Sequence, residues 1–319
     1  MSDIISGVLA CFGLKSNRTT REKGYYICQT DRGTVKLSKT NETMETLLFT
    51  HGVKEHAAKN GFTYTDRYIT GTGGTPLVQM GVDGYTLTRA VIGRELDYNC
   101  PEDVSAGMAQ LARFHAAAQN FPEKGTITPP QYEVIKRGIE NLSTAVKQIR
   151  KQKQRSDMDF TLLKHAPYYT EQAEQALEKL AASNYIHLYN QALSKNHITH
   201  NNIKEEHFIF TDTGLFITAF NKATCDIQLA DIAAYLRRYA LRGDASLSIA
   251  QLLAAYHQNN PLPEGAEAVV RGFLLYPAPF IKLVEQCYSK KRSWIPAGLS
   301  DRMAAVLAAE VGYRGYLGK

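Results

Sequence analysis

The segment HNNIKEEHFIFTDTGLFITAFN, residues 200–221, has the layout of a phosphoryl-transfer loop. A polar loop leads into a short strand, a turn at Asp212-Thr213-Gly214, and a second strand that ends in Ala219-Phe220-Asn221. In such a loop one carboxylate accepts the proton of the attacking hydroxyl, and an asparagine and a second carboxylate hold Mg²⁺ on the phosphates. This segment has no carboxylate at either place, which leaves open whether the chain still transfers phosphate.

The expected motif is H-G-D-x-x-x-x-N, followed about a strand later by D-F-D or D-F-G. Here His200-Asn201-Asn202 takes the place of H-G-D, His207 replaces the metal-binding asparagine, and Ala219-Phe220-Asn221 takes the place of D-F-D. The methyl group of Ala219 offers Mg²⁺ no oxygen, and the single imidazole of His207 is a poor ligand for it. We therefore expect no intact catalytic residue and no metal site.

Length and composition describe an ordinary folded protein. The 319 residues are 44% apolar and 21% charged, enough for one large domain or two lobes. The formal charge is +6, and the basic residues are dispersed apart from Lys147–Arg155 and Lys290–Arg292, so nucleic acid is not favoured as a partner. The five cysteines form no C-x-x-C pair, which predicts neither a zinc site nor a disulfide framework.

The first residues are nearly as apolar as the core of a signal peptide. However, Asp3 precedes the apolar residues 4–14, no Lys or Arg does, and no small-x-small cleavage site follows closely. We expect an amphipathic first helix that packs on the domain, no signal peptide, and synthesis in the cytoplasm. No later run reaches the roughly 18 apolar residues of a membrane span, so we expect no membrane partner.

The elements that would position the loop begin with strands. The turn Asp31-Arg32-Gly33 lies between two β-rich segments and predicts a hairpin. Residues 41–61 predict a helix, residues 62–80 a second hairpin that turns at Gly71–Gly74, and residues 83–96 a strand that runs into a connector. This is the order of a small kinase-like N-lobe. From Pro101 onward the pattern is almost entirely helical.

No glycine-rich loop is placed to cover phosphates. Residues 16–24 are polar, charged and nearly free of glycine. The glycine-rich stretch Thr70–Pro76 joins two strands instead of preceding a helix, so we interpret it as a turn.

Several segments resemble the CotS-type spore coat proteins, a family related to aminoglycoside and choline phosphotransferases. They are AKNGF (58–62), YTLTRAVIGRELDY (85–98), LARFHAAA (111–118), DIAAYLRR (231–238) and LLYPAPFIKLVEQCYSKKRSWIP (274–296). The resemblance implies an α+β, bilobal protein-kinase-like fold of the aminoglycoside phosphotransferase type. Its small β-rich N-lobe would span residues 1–92, and its larger helical C-lobe, with the degenerate catalytic loop, residues 93–319.

The resemblance also locates the lysine that should hold the nucleotide phosphates, on the third strand in a form like G-x-y-a-L-K. On GTVKLSKT, Gly33 and Leu37 match and the lysine position becomes Ser38. Side chains of a strand alternate between faces, and we expect Lys36 and Lys39 both to point to the other face unless the register slips by one.

The connector Thr88–Gly93 takes the place of the kinase hinge in this resemblance. Backbone groups at Thr88, Arg89, Ala90 and Val91 are the candidates for holding an adenine ring. Without magnesium ligands and the lysine, we expect any nucleotide to bind weakly and independently of Mg²⁺, and we expect no resident cofactor.

Three residues that match family motifs are interpreted as structural. His115 lies in an apolar helical run, where a histidine is usually buried and hydrogen-bonded. Asp231 would support the backbone of the catalytic loop, and His200 would remain as its scaffold.

The lost charges and the resemblance together predict a pseudokinase that serves as a structural or scaffolding component of the spore coat. Its partners would be other coat proteins or a second copy of itself. Lys290, Lys291, Arg292 and Trp294 are the candidate interaction surface, with aromatic packing of the last helices as an equally weighted reading.

Two other functions stay open. One is a small-molecule phosphotransferase of the aminoglycoside or choline kinase type that uses rearranged residues, such as Lys36 or Lys39, Asp226 and Asp231. The other is a nucleotide-binding switch without catalysis.

Overall fold

The computed structural model describes residues 2–22, 24–288 and 298–318. These residues form two compact units. The sheet unit consists of Met1–Asp97, Glu102–Thr126 and Lys195–Cys225, and the helical unit consists of Tyr98–Pro101, Ile127–Ser194 and Asp226–Lys319. The division into lobes at residues 92 and 93 stays a prediction.

The sheet unit contains three helices, eleven short strands and one 3₁₀ turn among the described residues. The helices are α1 (Ser2–Cys11), α2 (Met44–Lys59) and most of α3 (Pro101–Ala117). The strands are β1 (Ser16–Glu22), β2 (Tyr25–Thr30), β3 (Gly33–Thr40), β4 (Tyr68–Ile69), β5 (Leu77–Met80), β6 (Asp83–Arg89), β7 (Arg94–Glu95), β8 (Ile198–Thr199), β9 (Phe208–Thr211), β10 (Gly214–Ile217) and β11 (Thr224–Cys225), and the 3₁₀ turn is Glu205–His207.

The helical unit confirms the helical pattern that follows Pro101. Its helices are α4 (Gln131–Lys151), α5 (Asp157–Ala181), α6 (Tyr185–Ser194), α7 (Leu229–Arg242), α8 (Ile249–His257), α9 (Ala266–Leu275), α10 (Ala278–Tyr288) and α11 (Leu299–Leu317). The apolar run after Gly265 breaks between α9 and α10 at Tyr276-Pro277, because a proline has no N–H to donate and disfavours the helical conformation of the residue before it. Over the described residues, no helix has both the length and the apolar character that a membrane span requires.

The main sheet has the order β1-β2-β3-β6-β4, and β5 also pairs with β6. The first predicted hairpin is confirmed, with Thr30 opposite Gly33. The second is wrong: β4 and β5 do not pair with each other but lie one after the other along β6, where Tyr68 faces Thr88 and Leu77 faces Thr86. Glycine turns alone do not reveal which strand is the partner.

The strand β1 was not predicted. It pairs with β2 along its whole length, yet six of its seven residues are exposed. An apolar alternation, the usual sequence signal of a strand, is therefore absent from residues 16–22.

The two faces of β3 have different neighbours. Val35 and Leu37 point to the face that α1 covers with Val8, Leu9 and other apolar side chains, which confirms the packed first helix. Lys39 shares that face, and its Nζ lies 2.6 Å from a carboxylate oxygen of Asp83.

The opposite face of β3 carries both Lys36 and Ser38. In the register with β6, Lys36 faces Thr88 and Ser38 faces Thr86. The expectation that Lys36 points away from the Ser38 face is wrong, since side chains two residues apart in a strand lie on the same face. Lys39 alone has the expected orientation.

The connector after β6 ends at a residue that must be glycine. A Cβ on Gly93 would lie 2.0 Å from the carbonyl oxygen of Phe210. Directly after it, Arg94 forms an ion pair with the buried carboxylate of Asp103, and its guanidinium lies over the Phe210 ring. The connector is thereby fixed to β9, the strand that follows the catalytic-type loop.

We predict that Gly93→Ala lowers the free energy of unfolding by about 3 kcal/mol, because the new methyl group must displace backbone. Gly73→Ala is the matched control, since a Cβ at that exposed turn meets nothing within 4 Å. Urea denaturation of both variants measures the difference. Equal stabilities would show that the connector does not approach β9 this closely.

Candidate functional site

The two motif segments of the loop lie together in the sheet unit. The first segment follows β8, and the second, residues 218–221, follows β10. The N–H of Thr218 donates to the carbonyl of His207 at 2.9 Å. The structure therefore brings together the two segments that the motif spacing identified.

His200 is fully buried and bonded on both ring nitrogens. Its Nδ1 accepts from the backbone N–H of Asn202 at 3.3 Å, and its Nε2 donates to the carbonyl of Thr218 at 2.8 Å. An imidazole that accepts through one nitrogen and donates through the other is neutral. This is the scaffold role expected of His200, because the ring joins both motif segments.

Asn202 and Asn221 occupy the positions of the proton-accepting carboxylate and of the last motif residue. The Nδ2 of Asn202 donates to the Oδ1 of Asn221 at 3.2 Å and to the carbonyl of Ala219 at 3.2 Å. Two carboxylates this close would repel each other unless a cation or a proton lay between them. The two amides instead complement each other directly.

The side chain of His207 is also hydrogen-bonded within the loop. Its Nδ1 donates to the carbonyl of Asn202 at 2.7 Å, so this nitrogen cannot bind a metal. Burial lowers the pKa of His207, and the hydrogen bond to the backbone offsets part of that shift. The lowered pKa favours the neutral form of the ring. Across the described ranges, no cluster of three or more His, Cys, Asp or Glu side chains could hold a metal ion.

The backbone of the loop keeps two left-handed residues. Asn201 has a φ of 53° and Ala219 a φ of 64°. Asparagine tolerates this region, whereas for alanine it costs about 1–2 kcal/mol. Ala219 is thus held in a strained conformation although its side chain can perform no chemistry there.

Sequence reasoning missed a buried ion pair next to the loop. The Nζ of Lys54, on α2, lies 2.8 Å from the Oδ1 of Asp66 and 2.8 Å from its carbonyl oxygen. The same ammonium group lies 4.1 Å from the centre of the Tyr68 ring and 5.6 Å from that of Phe220. The available signal was a lysine on the apolar face of α2, next to Val53.

The ion pair also identifies the face of the sheet that meets the loop. Tyr68, which Lys54 contacts, faces Thr88 in the register, and Thr88 faces Lys36. Tyr68, Thr88 and Lys36 therefore lie on the face of the sheet that points toward α2. The Lys54 side chain of α2 also lies near the Phe220 ring of the loop. Lys36 is 4.4 Å from the centre of the Tyr25 ring.

The connector uses part of its hydrogen-bonding capacity inside the protein. The N–H of Arg89 donates to the carbonyl of Arg67 at 3.2 Å, and that of Ala90 donates to the carbonyl of Thr34 at 3.1 Å. An adenine ring bound at Thr88–Val91 would have to form its hydrogen bonds with other backbone groups of the connector. A pocket of about 630 Å³ beside the connector is lined by arginine and threonine as well as by Ile92.

Of the other sequence candidates, His115 belongs to the sheet unit, and Asp226 and Asp231 belong to the helical unit. His115 is fully buried, as expected. Asp226 and Asp231 are buried residues of the helical unit, and burial raises the pKa of Asp226 to about 7 while the N–H of Ile227 and the hydroxyl of Thr128 bond to it.

The candidate interaction surface lies outside the described residues. Lys290, Lys291, Arg292 and Trp294 all belong to the segment 289–297. Tyr276, an aromatic residue of the same sequence segment, is buried in the helical unit. Packing of the last helices accounts for that tyrosine.

Comparison with solved structures shows the fold. The chain is similar to an aminoglycoside phosphotransferase from Alicyclobacillus acidocaldarius, with a TM-score of 0.83 and 17% identity over 98% of this chain and 93% of that one. It is similar to the spectinomycin phosphotransferase APH(9)-Ia (TM-score 0.63, 6% identity, 99% and 98% covered) and to the choline kinase LicA from Streptococcus pneumoniae (0.54, 13%, 99% and 99%). The fold is that of the kinase-like aminoglycoside phosphotransferases, as expected from the sequence.

A family model covers nearly the whole chain. It is described as "Spore coat putative kinase YutH" and matches residues 7–319. No curated protein matches the chain.

We predict that Ala219→Gly raises the free energy of unfolding by about 0.5–1 kcal/mol, because relief of the left-handed strain exceeds the entropic cost of the glycine. Ala223→Gly in the same loop, at a residue without a positive φ, should lower it by about 0.5–1 kcal/mol. Chemical denaturation of the two variants compares them. Destabilisation by both substitutions would contradict the strained backbone at Ala219.

Proposed function

Because the chain belongs to this family of kinase-like spore coat proteins, we propose that it is a catalytically inactive member that serves as a structural or scaffolding component of the endospore coat. One observation carries the proposal. The side chains of Asn202 and Asn221 bond to each other, and the methyl of Ala219 stands beside them, at the positions where phosphoryl transfer requires a base and metal ligands.

The chemistry of these groups argues against transfer. An amide cannot accept the proton of an attacking hydroxyl, and loss of a general base alone costs on the order of 10²–10⁴ in rate. Mg²⁺ needs oxygen ligands that offset its charge, whereas this loop offers neutral groups that already satisfy one another. A bound triphosphate would therefore lack the metal ion that polarises it in phosphoryl transfer.

A scaffolding role suits the hydrogen bonding of the loop, since a loop whose polar groups are paired internally can be rigid without a ligand. The tyrosine content supports packing over oxidative cross-linking, because eleven of the 18 tyrosines are buried. Partners in this proposal are other coat proteins or a second copy. Lys290, Lys291, Arg292 and Trp294 remain the proposed contact surface on sequence grounds.

We expect Mg²⁺ to leave any effect of ATP on the melting temperature unchanged, and we expect that effect to be small. The reason is that Asn202, His207 and Ala219 supply no charged oxygen for the metal. A thermal-shift titration with ATP, with and without Mg²⁺, and with EDTA as the control for trace metal, measures this. A clear stabilisation that appears only with Mg²⁺ would refute the inactive assignment.

A second candidate, nucleotide binding without transfer, is favoured by one observation. Lys36 shares the Ser38 face of β3 and lies opposite Thr88, the residue at which the connector starts. An ammonium group at this place could meet a phosphate even though the usual lysine position is a serine.

Lys36 and Lys39 provide a matched pair for this candidate, since they lie on opposite faces of one strand. If ATP binds through this face, Lys36→Met should weaken its affinity at least about tenfold, because a hydrogen bond to a charged group is worth about 1.5–3 kcal/mol. Lys39→Met should leave the affinity unchanged. Calorimetric titration at low salt measures both. An equal effect of the two substitutions would point to general electrostatic attraction and remove Lys36 as a ligand.

A further inference from the structure

The helical unit contains an apolar cavity that has no part in the loop chemistry. It has a volume of about 300 Å³ and lies among α5, α7, α10 and α11. Its walls include Tyr169, Leu241, Pro277, Phe280, Ala305 and Ala309. All of its lining residues belong to the helical unit, whereas the loop with His200 and Asn202 belongs to the sheet unit.

The shape of the cavity follows from the residue types around it. Ala305 and Ala309 lie one turn apart on α11 and contribute only methyl groups, next to the larger Val306 and Glu310 of the same helix. Tyr169 and Phe280 stack at 3.8 Å with an angle of 18° between their rings and are almost completely buried. The aromatic wall is therefore closely packed, and the two alanines leave space in another part of the lining.

Three arginines line the cavity, namely Arg237, Arg242 and Arg314, and the hydrogen bonds of Arg237 all go to neutral groups. Its Nε donates to the hydroxyl of Tyr313 at 3.3 Å, and its Nη2 donates to the carbonyls of Phe273 at 2.6 Å and Tyr276 at 3.0 Å. These acceptors are neutral, and burial raises the pKa of Tyr276 to about 12, so its phenol stays neutral as well. Within the part of the chain that the structure describes, no carboxylate pairs with Arg237, and its Nη1 makes no hydrogen bond.

Glu310 is the one carboxylate among the described lining residues, and its charge is already compensated. Glu310 accepts from the Nε of Arg314 at 2.6 Å and from the hydroxyl of Tyr168 at 3.1 Å. Arg237, which is partly buried, therefore has no carboxylate partner among the described residues, and most of the remaining cavity wall is apolar. A guanidinium binds a carboxylate strongly, with charge-assisted hydrogen bonds, and does so more strongly where water is excluded.

We propose that this cavity binds a small amphiphile that consists of an apolar body and one carboxylate. The apolar body lies against Tyr169 and Phe280, and the carboxylate accepts from the Nη1 of Arg237. The volume is at the lower end of the ~300–1,000 Å³ of small-molecule sites, and an apolar wall with one or two convergent polar groups is their usual composition. The partly exposed Leu241 lies at the mouth and provides an apolar entrance.

Octanoate is a suitable probe, and octylamine is its control with the same chain length and the opposite charge. In isothermal titration calorimetry on the full chain we expect saturable binding of octanoate and none of octylamine. Octanoate should also raise the melting temperature. Absence of saturable octanoate binding, or equal binding of both compounds, would overturn the proposal.

Two substitutions on α11 locate the binding. Ala309→Leu places a larger side chain in the cavity and should weaken octanoate binding at least tenfold. Ala308→Leu, on the exposed side of the same helix and outside the lining, should leave it unchanged. If Ala309→Leu does not fold, the exposed lining residue Ala305 takes the same substitution with the same expectation. Octanoate binding that survives in the folded cavity variant would place the ligand elsewhere and refute this site. The outcome is independent of the loop, since ATP and Mg²⁺ are absent from the experiment.

Discussion

The buried ion pair of Lys54 and Asp66 sets the electrostatic conditions of the whole loop region. An ammonium group buried this deeply is tolerated only with a partner, because the desolvation of an unpaired charge costs several kcal/mol. The pair joins α2 to the segment before β4, and Phe220 packs near its cation. Because the carboxylate of Asp66 neutralises the ammonium group of Lys54, no charged side chain of the loop is needed to balance it. The neutral His200, His207 and paired asparagines are consistent with that condition.

Hydrogen bonds within the loop explain how the two motif segments keep their positions although the usual carboxylates are absent. In an active enzyme of this fold class, a metal and its carboxylates would fix the geometry of the two motif segments. Here hydrogen bonds do so: His200 joins the segments through Thr218, and Asn202 joins them through Ala219 and Asn221. The left-handed Ala219 is stable only because these contacts determine its backbone from both sides.

The sequence predicted the features that depend on local pattern. The loop segments, the hairpin at Asp31–Gly33 and the helical second half follow from spacing and turn residues. The partners of β4 and β5 could not be obtained in this way, because strand pairing is a long-range property that turn residues do not specify. The strand β1 lacked an apolar signal, and Lys54 and Asp66 lie twelve residues apart with no motif to connect them. The orientation of Lys36 could have been predicted, since the strand period of two already places it with Ser38.

The exposed strand β1 affects how the protein can aggregate at high concentration. As the end strand of the main sheet it pairs only with β2 among the described residues, so its outer backbone groups could template the addition of a strand from another molecule. The charged residues Arg18, Arg21 and Glu22 lie on this edge, and an added strand would remove part of their hydration. Charged side chains on an edge strand disfavour uncontrolled fibril growth at high local concentration. The strand that completes the main sheet is thus also the one whose charges protect the sheet from strand addition at high protein concentration.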